Sequence, residues 1–256
     1  MNLVDKRVLI TRSRKQAEEF AVALLAEGAQ PIFFPVIQIM PPDNYSAFEF
    51  ALQRLEDFEW LILTSVHGVE AFFQRLAVFG IKHIPPGLRV AAVGSKTAQR
   101  ISEHGIRPDY VPDEYLPEEM LPGLGKDIRG KRFLFPQSNL ARTVLADQIR
   151  SAGGILTEII AYQTVASEPD SSEMNELHAG VDIVTFTSPS IVQYFVTIVQ
   201  KNGLDPFSLP DNPLFACIGP TTKKAAEDIG FDNLVTASEY TTTGLIEALG
   251  KLVIHK

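Results

Sequence analysis

"KRVLITRS", residues 6–13, returns as "KRFLFPQS" at residues 131–138, 125 positions further along the chain. At the same offset Gly28 falls on Gly153, Gln38 on Gln163, Gly94 on Gly219 and Gly105 on Gly230. "LTSVHGVEAFF" (63–73) aligns with "FTSPSIVQYFV" (186–196) at an offset of 123, so a two-residue slip separates the blocks. Such a period is far longer than the about 20–50 residues of a solenoid repeat. It describes two similar halves.

Both halves use one grammar. A β-rich run (Val8–Ile10, Leu61–Leu63, Val90–Val93, Phe133–Phe135, Ile183–Phe186, Phe215–Ile218) leads into a Thr/Ser/Gly turn and then a helical pattern. After Arg14, Ala17, Phe20, Leu24 and Leu25 fall on one helical face; after His67, so do Val69, Phe72, Phe73 and Leu76. Strands alternating with helices imply parallel sheets covered on both sides. About ten strands can be counted, which strains one open sheet and suits two of five. "QPIFFPVIQIMPPDN" (30–44) and "ILTEIIAYQTVASEPD" (155–170) are both extended, each ends in a proline-bearing break, and they occupy equivalent places in the repeat. They are expected to carry the chain from one domain into the other and back. The expected fold is α/β, two similar domains, each a five-stranded parallel sheet flanked by helices, joined by a two-stranded connector. Residues 1–36 plus 167–256 form the first domain and 41–160 the second, with 37–40 and 161–166 connecting. The gap between two such domains is the natural binding place.

Apolar residues make up 45% of the 256 and charged residues 21%, an ordinary globular balance. The apolar runs are too short to span a membrane. The opening "MNLVDKRVLITRS" lacks an apolar signal core, so a cytoplasmic location is expected. Cys217 is the single cysteine, which precludes an internal disulfide or a thiolate metal cluster. A net charge of −8 speaks against a nucleic-acid partner, although the local lining of a cleft can still receive a small anion.

In open α/β sheets ligands sit beyond the carboxyl ends of the strands. Here those ends read Thr11-Arg12-Ser13, Thr64-Ser65, Gly94-Ser95-Lys96-Thr97, Gln137-Ser138-Asn139, Thr187-Ser188-Pro189-Ser190 and Gly219-Pro220-Thr221-Thr222. Neither GxGxxG nor GxxxxGK[ST] is present, and the five histidines are scattered. What remains is a set of helix N-termini with small hydroxyl residues and a few cations: Arg12, Lys96, Arg142 and Lys223. Helix N-termini offer free N–H groups and about half a positive charge, so several facing one cleft could hold a polyanion. Any one of these hydroxyls also reads as an ordinary cap, Arg12 and Arg142 as surface ion pairs, Tyr162 as packing and His67 as either an acid–base group or a structural one.

"LTSVHGVEAF", "AVGSKTAQ", "FTSPSIV", "CIGPTTKKA", "YTTTGLIEAL" and "AYQT", in this order and spacing, resemble the uroporphyrinogen-III synthase family over essentially the whole chain. The resemblance implies a lyase of tetrapyrrole (heme) biosynthesis that closes hydroxymethylbilane, with loss of water and inversion of the last ring, to uroporphyrinogen III. It implies no cofactor and no metal, because the pyrroles supply the electrons. Tyr162 falls on the tyrosine proposed to assist loss of the hydroxyl. Thr97, Ser188, Thr221 and Thr222 carry over as cleft residues, as do Arg12, Ser65 and Arg142. Two departures concern local anion contacts: His67 stands where some relatives have arginine or asparagine, and "TRS" replaces a common Thr-Arg-Pro. The expected partner is the linear tetrapyrrole, with transient contact to hydroxymethylbilane synthase conceivable, no nucleic acid, no membrane, and a monomeric chain. The rival reading is a non-catalytic two-domain receptor for a small polyanion.

Overall fold

A computed structural model describes residues 3–113, 117–125, 127–141 and 143–252. The chain begins β1 (Arg7–Ile10), α1 (Arg14–Ala26), β2 (Gln30–Phe33) and β3 (Ile37–Met40). It continues through α2 (Ser46–Gln53), β4 (Trp60–Leu63), α3 (Val66–Val78), β5 (Arg89–Ala92), α4 (Ser95–Glu103), β6 (Arg132–Ser138), α5 (Val144–Ser151) and β7 (Ile155–Ala166). It ends with α6 (Ser171–His178), β8 (Ile183–Phe186), α7 (Pro189–Lys201), β9 (Leu214–Cys217), α8 (Pro220–Ile229), β10 (Leu234–Thr236) and α9 (Thr242–Leu252). Two compact units result, Met1–Gln38 with Val165–Lys256, and Ile39–Thr164. Below they are units 1 and 2.

The five-stranded sheets run β10-β9-β8-β1-β2 and β3-β7-β6-β4-β5. The paired registers described within them are parallel. The repeat survives in the register itself: Arg7 pairs with Gln30, and Arg132, 125 positions on, pairs with Ile155. Residues 37–40, expected as connector, form β3 and are hydrogen-bonded beside β7 in the second sheet. The chain thus crosses between units within β3 and β7.

Strand side chains alternate between two apolar layers, which is why these strands read as continuous hydrophobic runs. In unit 1, Leu9, Val184, Phe186 and Phe215 face one core, and Val8, Ile10, Ile183 and Ala216 the other. In unit 2, Leu61, Leu63, Val90 and Leu134 oppose Trp60, Ile62, Ala91 and Phe133. Phe186 is fully buried with its ring centroid 5.3 Å from Phe195 and 5.7 Å from Phe215. Removing a ring so placed costs about 3–5 kcal/mol. In α1 the buried stripe is Ala17, Phe20, Ala21 and Leu24, whereas Leu25 is 58% exposed. At about 100° per residue Leu25 falls past the edge of that stripe, and Ala21 takes the place expected for it.

A shared anchor starts each sheet. Asp182 accepts a hydrogen bond from the Arg7 N–H at 2.8 Å, and Glu59 accepts one from the Arg132 N–H at 2.6 Å. Lys6 adds an ion pair to Asp182 at 2.6 Å. Burial alone would raise the Asp182 carboxyl; the Lys6 and Arg7 hydrogen bonds and charges outweigh it and hold the group below its ordinary value.

Candidate active site

Tyr162 lies near the end of β7, where the strand does something its sequence does not announce. Gln137 of β6 pairs with Ile160, but the next residue, Ser138, pairs with Tyr162, so Ala161 is an extra residue in β7. Such a bulge breaks strict alternation and re-aims the side chains that follow. Ala161 and Tyr162, although neighbours in sequence, therefore both pack on the core layer that carries Val69 and Phe72 of α3.

The phenol oxygen of Tyr162 lies 3.0 Å from the Ser65 hydroxyl. Ser65 is the N-cap of α3 and accepts a hydrogen bond from the Gly68 N–H, also at 3.0 Å. A Cβ on Gly68 would stand 3.2 Å from Ser65 Oγ, 3.5 Å from the Pro136 carbonyl oxygen and 4.0 Å from Tyr162 Cε1. A side chain there would crowd the Ser65 hydroxyl while remaining in ordinary contact with the tyrosine ring. The His67 ring is tilted toward it with centroids 5.7 Å apart. Burial pushes the Tyr162 phenol above its ordinary value, with hydrogen bonding to Ser65 and Ser138 offsetting part of the shift. At neutral pH the group is a protonated phenol able to donate.

Beside this ring is a cavity of about 230 Å³ bordered by His67, Glu70, Arg75, Tyr45, Met40 and Tyr162 itself. The Arg75 guanidinium stacks 3.8 Å from the Tyr45 ring centre and pairs with Glu49. A larger hollow of about 1000 Å³ lies along the Phe73 and His104 side of α3, where Glu70 pairs with Arg100 and, at 3.3 Å, with His104. Tyr162 does not border it.

The helix starts at the strand ends are of two kinds. Ser65 and Ser188 cap α3 and α7 with their own hydroxyls, Ser188 accepting from the Ile191 N–H at 3.3 Å. By contrast α4 and α8 open on Gly94 and Gly219, which supply no side-chain cap. Gly94 adopts φ +82°, a conformation side chains rarely tolerate, and a Cβ on Gly219 would meet the Tyr240 ring at 3.2 Å. Without a side-chain cap among the described residues, the first-turn N–H groups of these two helices are of the kind that can receive an anion. Thr97 and Thr222 sit buried in those turns, 5% and 3% exposed, and Thr221 is exposed beside Thr222.

In unit 1 the turn after β1 carries two further polar groups. Arg12 Nε and Ser13 Oγ are buried without a hydrogen-bond partner among the described residues. Desolvation holds the Arg12 guanidinium below its ordinary value, against the pull of Glu19. Arg142 lies outside the described residues. Among the described residues no group of three or more His, Cys, Asp or Glu side chains is placed to hold a metal ion. The Cys217 thiol is buried and pushed up to about 12, with Lys223 opposing, so it is no nucleophile at neutral pH.

The structure therefore brings Tyr162, Ser65 and His67 together in unit 2, and sets Thr97 and Thr222 in matching turns of separate units. Gly68 and Ser13 are additional residues of these sites. Gly68 could have been noticed from the aligned blocks, where it stands opposite Ile191. Ser13 is the residue by which "TRS" departs from the common Thr-Arg-Pro, and that departure is its signal in the sequence.

Residues 18–247 match the family described as Uroporphyrinogen-III synthase HemD. A uroporphyrinogen-III synthase of Synechococcus elongatus is 32% identical over 251 residues, spanning 96% of this chain and 95% of that protein. The one from Escherichia coli is 25% identical over 247 residues, spanning 94% and 99%. In fold the chain is similar to a mutant uroporphyrinogen III synthase of Thermus thermophilus, with a TM-score of 0.67 at 16% identity and coverage of 98% and 100%. The Helicobacter pylori uroporphyrinogen-III synthetase gives 0.65 at 17% identity, covering 97% and 100%.

Proposed function

The chain belongs to the uroporphyrinogen-III synthase family, and from that premise we propose how its residues carry out the reaction. The enzyme is a cyclising hydro-lyase. It takes hydroxymethylbilane, removes its terminal hydroxyl as water, and closes the ring with the last pyrrole inverted.

Tyr162 donates its proton to the departing hydroxyl as the pyrrole nitrogen lone pair expels it, leaving an electrophilic azafulvene. The substituted carbon of the last ring attacks that centre and gives a spiro intermediate. Fragmentation and reclosure in the inverted sense follow, and loss of the ring proton restores the aromatic pyrrole and the phenol. The electrons come from the pyrroles throughout, so no cofactor is needed. The protein's main task is to hold a flexible chain so that the inverted closure is the near-attack geometry.

The acetate and propionate arms are the anions that the helix ends receive. The glycine-opened turns at Thr97 and at Thr221–Thr222 supply N–H groups and the positive end of a helix dipole, worth about 0.3–1 kcal/mol per carboxylate at an exposed end. Arg12, whose buried Nε has no hydrogen-bond partner among the described residues, supplies a charge, and Arg142 is assigned the same role on the resemblance alone. The Ser188 hydroxyl is already engaged as a cap, so its contribution to binding is through the turn it fixes. This arrangement binds a polyacid on a chain whose net charge is −8.

We assign the chain to the cytoplasm as a monomer. A labile substrate favours direct transfer from hydroxymethylbilane synthase. No helix among the described residues is long and apolar enough to cross a membrane.

The observation that carries the catalytic reading is a phenol hydrogen-bonded to a helix cap beside a cavity. The test is consumption of hydroxymethylbilane by dialysed protein, followed against its spontaneous closure. Acceleration without additives is expected. Tight binding without acceleration would favour the receptor reading instead.

A further inference from the structure

The two halves of the chain differ at one place in a way that concerns Tyr162. Ser65 and Ser188 are equivalent in the repeat, and both cap a helix through the N–H three residues on. The residue donating that N–H is Gly68 in unit 2 and Ile191, 3% exposed, in unit 1. At the 125-residue offset Tyr162 corresponds to Ile37, which packs against its own core. A pair of isoleucines in one unit is thus replaced by a tyrosine and a glycine in the other. Without the phenol, Ser188 Oγ lies 2.9 Å from Ser190 Oγ. Capping is the shared task of the two serines, and contact with a phenol belongs to Ser65 alone.

We infer that Ser65 is a positioning residue that donates its hydroxyl hydrogen to the Tyr162 oxygen, so that the tyrosine's own proton is not taken up by the cap of α3 and is left for the substrate. This rests on the reading of Tyr162 as proton donor. One lone pair of Ser65 Oγ is taken by the Gly68 N–H, which leaves one hydrogen and one lone pair for the phenol. Were Tyr162 to donate to Ser65, its proton would be held away from the reaction. With Ser65 as donor, the bond strengthens as the phenolate forms, since hydrogen bonds to charged acceptors are about twice as strong as neutral ones. The helix N-terminus behind Ser65 polarises the hydroxyl in the same sense. Gly68 favours the arrangement by leaving the Ser65 hydroxyl uncrowded. The titratable and charged groups that border the same cavity as the phenol are His67, Glu70 and Arg75 of α3 and Tyr45 before α2, of which His67 lies against the ring. The Ser65 variants below leave them in place.

The experiment replaces all six tyrosines by 3-fluorotyrosine, which titrates at lower pH, and follows them by fluorine NMR without substrate. Loss of a signal in Tyr162→Phe identifies the resonance. Ser65→Ala should move the Tyr162 titration upward by about one unit, and Ser65→Thr should restore it. In the unlabelled enzyme Ser65→Ala should lower kcat about tenfold with KM within about twofold, since the group aids the proton transfer rather than binding. Ser188→Ala removes the matching cap in the other unit and should leave the Tyr162 titration in place. That separates loss of a cap from loss of the phenol contact. An unmoved titration in Ser65→Ala, or a raised KM with unchanged kcat, overturns the assignment. A shifted titration combined with full activity of Tyr162→Phe would retain the hydrogen-bond direction and reject the tyrosine as acid.

Discussion

Thr97 and Thr222 occupy the same place in the two halves of the molecule: each is the third residue of a helix opened by a glycine, and each side chain is buried. Neither is the N-cap, so their hydroxyls are not needed to start the helices. If they serve substrate carboxylates, Thr222→Val, which keeps the shape and removes the hydroxyl, should raise KM about three- to tenfold, an effect limited by the surviving N–H groups. Thr222→Ala should do the same and also lose about 1 kcal/mol of stability in urea denaturation. A wild-type KM in Thr222→Val would reduce the residue to packing.

Tyr162→Phe removes a proton while keeping the ring. Steady-state kinetics should show kcat reduced at least about tenfold, toward the lower end of what a positioned acid contributes, with KM nearly unchanged. An unchanged kcat removes the acid role.

Gly68→Ala separates helix stability from ring placement. Alanine is favoured over glycine within a helix by about 1 kcal/mol, so no loss of stability is expected from the backbone. Its Cβ would stand 3.2 Å from Ser65 Oγ, tight enough to displace the hydroxyl that meets the phenol. The expected result is a several-fold lower kcat in a protein that unfolds at the same or higher urea concentration. Full activity would mean that the ring tolerates displacement.

Asp182 ties two strands of unit 1 through Lys6 and the Arg7 N–H. Its folded-state pKa lies below the ordinary value of 3.8. Its ionised form therefore contributes stability above about pH 4, and that contribution disappears as pH falls through the folded value. Asp182→Asn should unfold at lower urea than the parent at pH 7, and the difference should close in acid. A gap of constant size at every pH would assign the effect to packing.

The fold was legible where the repeat preserved spacing. The 125-residue offset between "KRVLITRS" and "KRFLFPQS" is the offset between the Arg7–Gln30 and Arg132–Ile155 pairings, because equivalent strands keep their registers. The hydrophobic runs were visible because both faces of each sheet are covered. Less legible was the site. The extra residue Ala161 changes which way Tyr162 points, and nothing in "AYQT" signals a bulge, since bulges arise from pairing with a distant strand. Serines at 65 and 188 and threonines at 97 and 222 looked alike as strand-end hydroxyls. Tertiary context divides them, because the first pair caps its helices and the second lies behind glycines. The task of Gly68 likewise depends on Tyr162, far away in the chain.

A protein that holds the linear tetrapyrrole for inverted closure should make that closure outrun the spontaneous reaction. The measurement is the isomer composition of the product, determined by chromatography of the oxidised porphyrins after incubating hydroxymethylbilane with the purified chain and no additive. A type III product is predicted; type I alone, as in the reaction without protein, would contradict the account.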